Sequence, residues 1–371
     1  MIVDLPSTTT SAINGSLVDI RETGGAVALS RVLTLVIVTE DVEAEEAIEA
    51  ANDASREHPC RVLVVAKGSR RGSARLDAQI RVGGDAGASE VIVLRLYGEL
   101  ALHGDSVVVP LLLPDAPVVA WWPGAPPPVP SEHPIGAMAQ RRITDSAEAA
   151  RPHKVLRQLA ENYADGDTDL AWSRLTLWRG LLAAALDQPP YERVASAVVT
   201  GAPDSPSTEL LGAWLALALR CPVTRSKIRP GGGIAGVRLQ RRSGAIELLR
   251  PEGNVALLTH PGQPDRQIAL PRRSTSECLA EELRRLDPDD IYQEVVTRGL
   301  ALLDAEGRKV PGSAAPVATS PQEASRRVKE TASRMEGRSE AMKRANPARK
   351  QAAATQAPAS ETPAPAPDGA S

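Results

Sequence analysis

From Val32 to Val38 the chain reads VLTLVIV, a short β-branched run with almost no polar residue, the pattern of a strand buried on both faces. A helix precedes it over Ser11 to Glu22, ended by Gly24 and Gly25. Another follows over Asp41 to Glu57, where Val42, Ala47, Ile48 and Ala51 recur at helical spacing among carboxylates and Pro59 closes the run. Arg61 to Ala66, RVLVVA, is a second buried strand, and strand, helix and strand joined this closely form a βαβ unit with a parallel pair. Leu76 to Val82 and Ser89 to Leu96 add two more strands. A helical stretch over Ser146 to Tyr163 leads to Ala164-Asp165-Gly166-Asp167, where the first domain, an α/β unit over 1–165, gives way to a second over 166–304.

The second domain opens on an apolar helix over Leu170 to Leu186, with Trp172, Leu175 and Trp178 on one core-facing stripe. Val194 to Thr200, Pro206 to Arg220 and Val223 to Ile228 form a second βαβ element. Val237 to Arg241, Ala245 to Leu249 and Val255 to Thr259 then alternate around glycine-containing turns, as an antiparallel meander does. Helices over Ser274 to Leu286 and Asp289 to Leu303 close the fold. Beyond Gly307 the chain turns to Ala, Pro, Ser and charge, and residues 305–371 are expected to be a disordered tail. Within it, Ala324, Val328, Ala332 and Met335 fall at three- and four-residue spacing, a segment that could fold against a partner.

Between Val107 and Gly124 lies the run VVVPLLLPDAPVVAWWPG. Its prolines break it into pieces far shorter than the roughly 20 residues of a spanning helix, so no membrane is expected as a partner. Val118 to Ala120 suit a short buried strand, with Pro123-Gly124 stopping it and Trp121 and Trp122 at its end. Alternation sends these two indoles to opposite faces. In a chain without phenylalanine they either fill a core or anchor a protein interface. Arg141 and Arg142, in AQRRITDSA, are either a solvated pair or a docking site for an acidic partner.

The chain has 371 residues and a net charge of −3. From Gly307 onward eleven basic and six acidic residues give +5, which leaves −8 for the rest. A body of that sign repels nucleic acid, and only the tail could attract it. The opening MIVDLPSTTTSAINGSLVDIRETGG is acidic and polar, unlike a secretory leader, and a cytoplasmic address is expected.

Little local chemistry stands out. Cys60, Cys221 and Cys278 are far apart, and the five histidines show no H-x-H or H-E-x-x-H spacing, so no metal is expected. Gly231, Gly233 and Gly236 satisfy G-x-G-x-x-G, yet a strand-like Val-Arg-Leu-Gln-Arg-Arg follows where a dinucleotide site needs a helix, so the stretch reads as a hairpin loop. The loop 201–209 is better placed, at the carboxyl end of a strand and the start of a helix. Ser205 there can cap, Pro206 can open the helix, and an anion could rest on Gly201, Ser205, Ser207 and Thr208. Ordinary capping accounts for the same residues, and Asp204 repels an anion.

Several ordered segments resemble a known family: GGAVALSRVLTLVIVT, HPCRVLVVA, LPDAPVVAWWPG, PIGAMAQRRITDS, DLAWSRLTLWRGLLAAALD, TGAPDSPSTELLGAWLAL and ECLAEELRRLDPDDIY. They are similar to the glucose-6-phosphate dehydrogenase assembly proteins, OpcA, of actinobacteria and cyanobacteria, and the Ala-, Arg- and Pro-rich composition suits the actinobacterial type. The resemblance implies a non-catalytic partner that binds glucose-6-phosphate dehydrogenase, favours its active oligomer and so supports NADPH production in the oxidative pentose phosphate pathway. It assigns no catalytic residue and no cofactor. For cyanobacterial members it implies thioredoxin-linked control through cysteines, whereas Cys60 and Cys221 here read as buried thiols. Aromatic and arginine anchors carry most interface energy, so Trp121, Trp122, Arg141 and Arg142 are the expected contact residues. The alternative is a phosphosugar-binding enzyme or sensor using the loop 201–209.

Overall fold

The computed structural model describes residues 1–23, 32–83, 90–228, 232–250 and 253–309. The expected disordered tail from 310 onward, Gly231 of the glycine-rich stretch, and Gly24 and Gly25 lie outside the described residues.

The first lobe runs β1 (Ile2–Leu5), α1 (Thr10–Thr23), β2 (Leu33–Glu40), α2 (Ala44–Ser55), β3 (Cys60–Lys67), β4 (Arg75–Val82), β5 (Glu90–Tyr97), α3 (Gly104–Val108), β6 (Val118–Trp122), α4 (Pro134–Ala137), β7 (Arg141–Thr144), α5 (Pro152–Glu161) and β8 (Asp167–Asp169). Its eight strands lie in the order β1-β4-β5-β3-β2-β6-β7-β8. From β5 to β8 neighbours are parallel, and β4 and β1 add an antiparallel edge. The expected β2-α2-β3 unit is present, with Leu33 beside Cys60 in register. Both faces are covered, which explains why these strands read as unbroken apolar runs. Leu35, Ile37, Val64 and Trp121 face α2, while Val36, Val38, Leu63 and Trp122 face α1.

The second lobe continues through α6 (Leu170–Ser173), α7 (Thr176–Leu186), β9 (Ser196–Gly201), α8 (Pro206–Leu219), β10 (Val223–Lys227), β11 (Ile234–Arg241), β12 (Gly244–Leu249), β13 (Val255–Thr259), β14 (Arg266–Ala269), α9 (Thr275–Arg284), α10 (Asp290–Glu294), a π turn (Val295–Gly299) and α11 (Leu300–Lys309). The sheet order is β10-β9-β11-β12-β13-β14, with β9 and β10 parallel and the rest an antiparallel meander. Gly236 lies inside β11, so the glycine-rich stretch enters a strand and opens no helix. At Gly299 a Cβ would sit 2.9 Å from the Ala213 carbonyl oxygen, and glycine lets the π turn close onto α8.

Three expectations shift. The helix over Leu170 to Leu186 breaks between α6 and α7, where the Arg174 guanidinium reaches Asp145. The helix expected from Ser146 begins only at Pro152, because the Ser146 amide and hydroxyl both donate to Asp169 and hold that segment in a turn. The last helix passes through its π turn to Lys309, beyond the expected end at Leu303.

Two helices cross between the lobes. The α5 residue Leu156 is buried in the second core with α7 and α8, while Cys278, Leu279 and Leu283 of α9 are buried in the first core against α2. Among the described residues no helix is long and apolar enough to cross a membrane.

Candidate functional site

The four residues expected to contact a partner are interior. Trp121 is 0% exposed and Trp122 1%, inside β6 and on opposite faces of the sheet, so both indoles are core side chains. Trp122 meets His133 edge to face at 5.5 Å. Arg141 is 2% exposed and Arg142 7%, at the start of β7. Each is spent internally: Arg141 pairs with Glu282 and donates to the Asp287 carbonyl at 3.0 Å, and Arg142 pairs with Asp167 and donates to the Ala139 carbonyl at 2.9 Å. Buried in the interior, these side chains are not presented to a partner by the folded chain. The expected contact residues are core and internal side chains.

Arg142 ties β7 to β8 within the first lobe, whereas Arg141 reaches the later chain. Glu282, on α9, accepts from Arg141 of β7 and, at 2.5 Å, from the Ser173 hydroxyl of α6. Asp145 takes two bonds of 2.7 Å from Arg174. Asp169 caps α6 through the Ala171 amide and accepts from Thr144 and from the Ser146 amide and hydroxyl, all within 2.7–2.9 Å. Burial pushes the Glu282 carboxyl up, and burial with the neighbouring Asp145 charge does the same to Asp169. These acids are raised in pKa, as catalytic acids often are. Each nevertheless sits in a closed set of hydrogen bonds that leaves no room for a substrate, which marks them as architecture.

The loop 201–209 is more open. Its four candidate anion contacts divide between two clefts that flank the amino end of α8. Gly201 and Thr208 border a cleft of about 780 Å³ with His153, Glu209, Arg225, Lys227 and Asp304. Here the helix supplies its own anion. Glu209, in the first turn of α8, lies 3.3 Å from Arg225 and accepts from Arg157, and Nδ1 of His153 is 2.6 Å away. Burial alone would raise the Glu209 carboxyl, but the bonds from His153 and Arg157 outweigh it and hold it at about 2. The other nitrogen of His153 faces the Pro203 carbonyl. An acceptor at each nitrogen favours the imidazolium, and the His153 pKa is raised chiefly by the bond to Glu209. Arg157 also takes Asp304, at 2.7 and 2.9 Å. The cations of this cleft are largely matched.

Ser205 and Ser207 border the second cleft, of about 340 Å³, with Arg174, Arg250, Arg272 and Arg273. Ser207 is buried and donates to the Ala171 carbonyl at 2.8 Å. Ser205 occupies the N-cap position without making the capping bond, contrary to the capping role expected of it. Sequence reading missed these arginines because they follow α6, follow β12 and precede α9, far apart along the chain. Cys60, Cys221 and Cys278 are buried thiols outside any disulfide, and burial raises the Cys278 thiol to about 11. Among the described residues no group of three or more His, Cys, Asp or Glu is placed to hold a metal ion.

Residues 51–161 match the N-terminal domain, and residues 165–296 the C-terminal domain, of the OpcA glucose-6-phosphate dehydrogenase subunit family. A putative OxPP cycle protein OpcA from Synechocystis is 34% identical over 114 residues, 29% of this chain and 23% of that protein, so the chain spans about a quarter of the curated relative it matches. Among solved structures, an oxidoreductase from Sinorhizobium meliloti overlaps with a TM-score of 0.43 at 12% identity, covering 74% of this chain and 96% of that one. Glucose-6-phosphate 1-dehydrogenase from Mycobacterium avium overlaps with a TM-score of 0.36 at 11% identity, covering 73% and 92%. Likenesses that shallow say nothing about activity. The two ordered domain matches show the family, and by them this chain belongs to the OpcA family of glucose-6-phosphate dehydrogenase subunits.

Proposed function

We propose that the chain is a non-catalytic cytoplasmic subunit that binds glucose-6-phosphate dehydrogenase and favours its active oligomer, so supporting NADPH production in the oxidative pentose phosphate pathway. The observation that carries this reading is the ordered match of both lobes to the two domains of a glucose-6-phosphate dehydrogenase subunit. The fold supports it physically. A subunit that stabilises one state of an enzyme shifts the population toward that state by no more than its difference in affinity for the two. A large difference calls for a rigid template, and the lobes are tied by exchanged helices and by buried Arg141–Glu282 and Asp145–Arg174 pairs. The acids that might have served chemistry are committed to those ties.

The test is to titrate the purified chain into glucose-6-phosphate dehydrogenase and follow molar mass by light scattering together with NADPH formation. Mass and specific activity should rise together and saturate at a fixed stoichiometry. Unchanged mass and kinetics at saturating chain, or substrate turnover by the chain alone, would overturn the reading.

A further inference from the structure

Among the described residues, no carboxylate is paired with two of the arginines of the second cleft. Of its four arginines, Arg174 is neutralised by Asp145 and Arg273 by Glu281. Arg250 is 5% exposed, lies 5.0 Å over the Trp178 ring, and among the described residues donates only to the carbonyl oxygens of Leu270, Pro271 and Ile234, at 3.0–3.3 Å. Its Nε–H is buried with no acceptor among the described residues. Carbonyls solvate a guanidinium without cancelling it, and a buried charge without a counter-ion is costly to keep. The neighbouring cation is Arg272, whose guanidinium donates to the Gly232 carbonyl at 2.5 Å and lies where a Cβ on Gly233 would come within 2.8 Å. Gly233, at φ +62°, is therefore the wall that lets Arg272 settle beside Arg250, and this gives the glycine-rich stretch a role that a dinucleotide motif did not. Burial and the charge of Arg272 together lower the Arg250 guanidinium to about 10, the sign of two cations facing one space.

The same space receives the amino end of the 14-residue helix α8. Peptide dipoles make that end positive, and the Ser205 hydroxyl, which makes no capping bond to its own helix, borders the cleft there. Glu148 and Asp204 also border the cleft. Glu148 is pushed toward its neutral form by burial and by Asp145.

We propose that this cleft binds a small phosphate monoester, with Arg250 and Arg272 supplying the charge and Ser205 with the start of α8 orienting the phosphate. Arginine forks match phosphate oxygens in pairs, and about 340 Å³ suits a metabolite better than a macromolecular surface. The cleft joins Ala147 and Arg174 to Arg250 and Pro271, so its occupant touches both lobes at their seam.

The test uses the full chain alone, so it succeeds or fails independently of dehydrogenase binding. Calorimetric titration with glycerol 3-phosphate, at matched ionic strength and with glycerol as the neutral control, should show saturable binding of the phosphate ester only. Arg272→Ala should weaken it at least tenfold and Ser205→Ala severalfold, whereas Arg225→Ala, in the other cleft, should leave it unchanged. Circular dichroism verifies folding, and Ser205→Ala carries the test should Arg272→Ala unfold. Absence of binding by the unaltered chain, equal binding of glycerol, binding insensitive to Arg272 and Ser205, or equal loss in Arg225→Ala would each overturn the proposal.

Discussion

Glu209 and His153 form a pair whose titrations pull stability in opposite directions. The carboxyl is held at about 2 against an ordinary 4.5, so its contribution is present above the ordinary value and lost as pH falls through about 2. The imidazole is raised above 6.5, so its contribution is complete below 6.5 and lost as pH rises through the raised value. Stability from the pair should therefore be greatest between about pH 4.5 and 6.5 and decline on both sides. Denaturant midpoints measured across pH for the unaltered chain and Glu209→Gln should show the acid arm vanish in the variant and the alkaline arm shrink, since Glu209 is the main cause of the His153 shift. An acid arm that survives the substitution would assign it to other carboxylates. This pairing was invisible in the sequence, because the partners are 56 residues apart and Glu209 reads there as an ordinary first-turn acid. The indoles were half legible. Alternation sent Trp121 and Trp122 to opposite faces, yet nothing local said that both faces are roofed.

Strands buried on both sides announced themselves, as did α2, α8 and α9, the last with a full capping box between Ser274 and Glu277. β8 did not. Its sequence is Asp-Thr-Asp, and it is a strand because Arg142 pairs with Asp167 while Asp169 gathers four donors, a pattern of polar partners with no apolar rhythm to detect. β1 and β14, four residues each at sheet edges and only partly buried, were equally silent. The buried pair Arg141–Glu282 ties β7 to α9. Arg141→Met alone should cost about 3–5 kcal/mol, because it strands a buried carboxylate, whereas Arg141→Met combined with Glu282→Met should recover most of the loss. Equilibrium unfolding of the two single variants and the double variant measures the coupling. Additive losses would mean that the pair contributes no mutual stabilisation.

At the scale of the molecule, chain order and packing order differ. α5 precedes β8 yet packs on the second core, and α9 follows the meander yet packs on the first. Fragments 1–165 and 166–304 each lack a helix that roofs their own sheet. Expressed separately they should bind a hydrophobic dye and melt without a sharp transition, and on mixing they should recover native-like ellipticity. Two independently cooperative fragments would show that the exchanged helices are dispensable. The exchange also bears on mechanical behaviour. Under tension applied between Ile2 and Leu303, the lobes cannot separate without peeling a helix from each core at once, so stretching should meet a single high rupture force in place of two weaker ones.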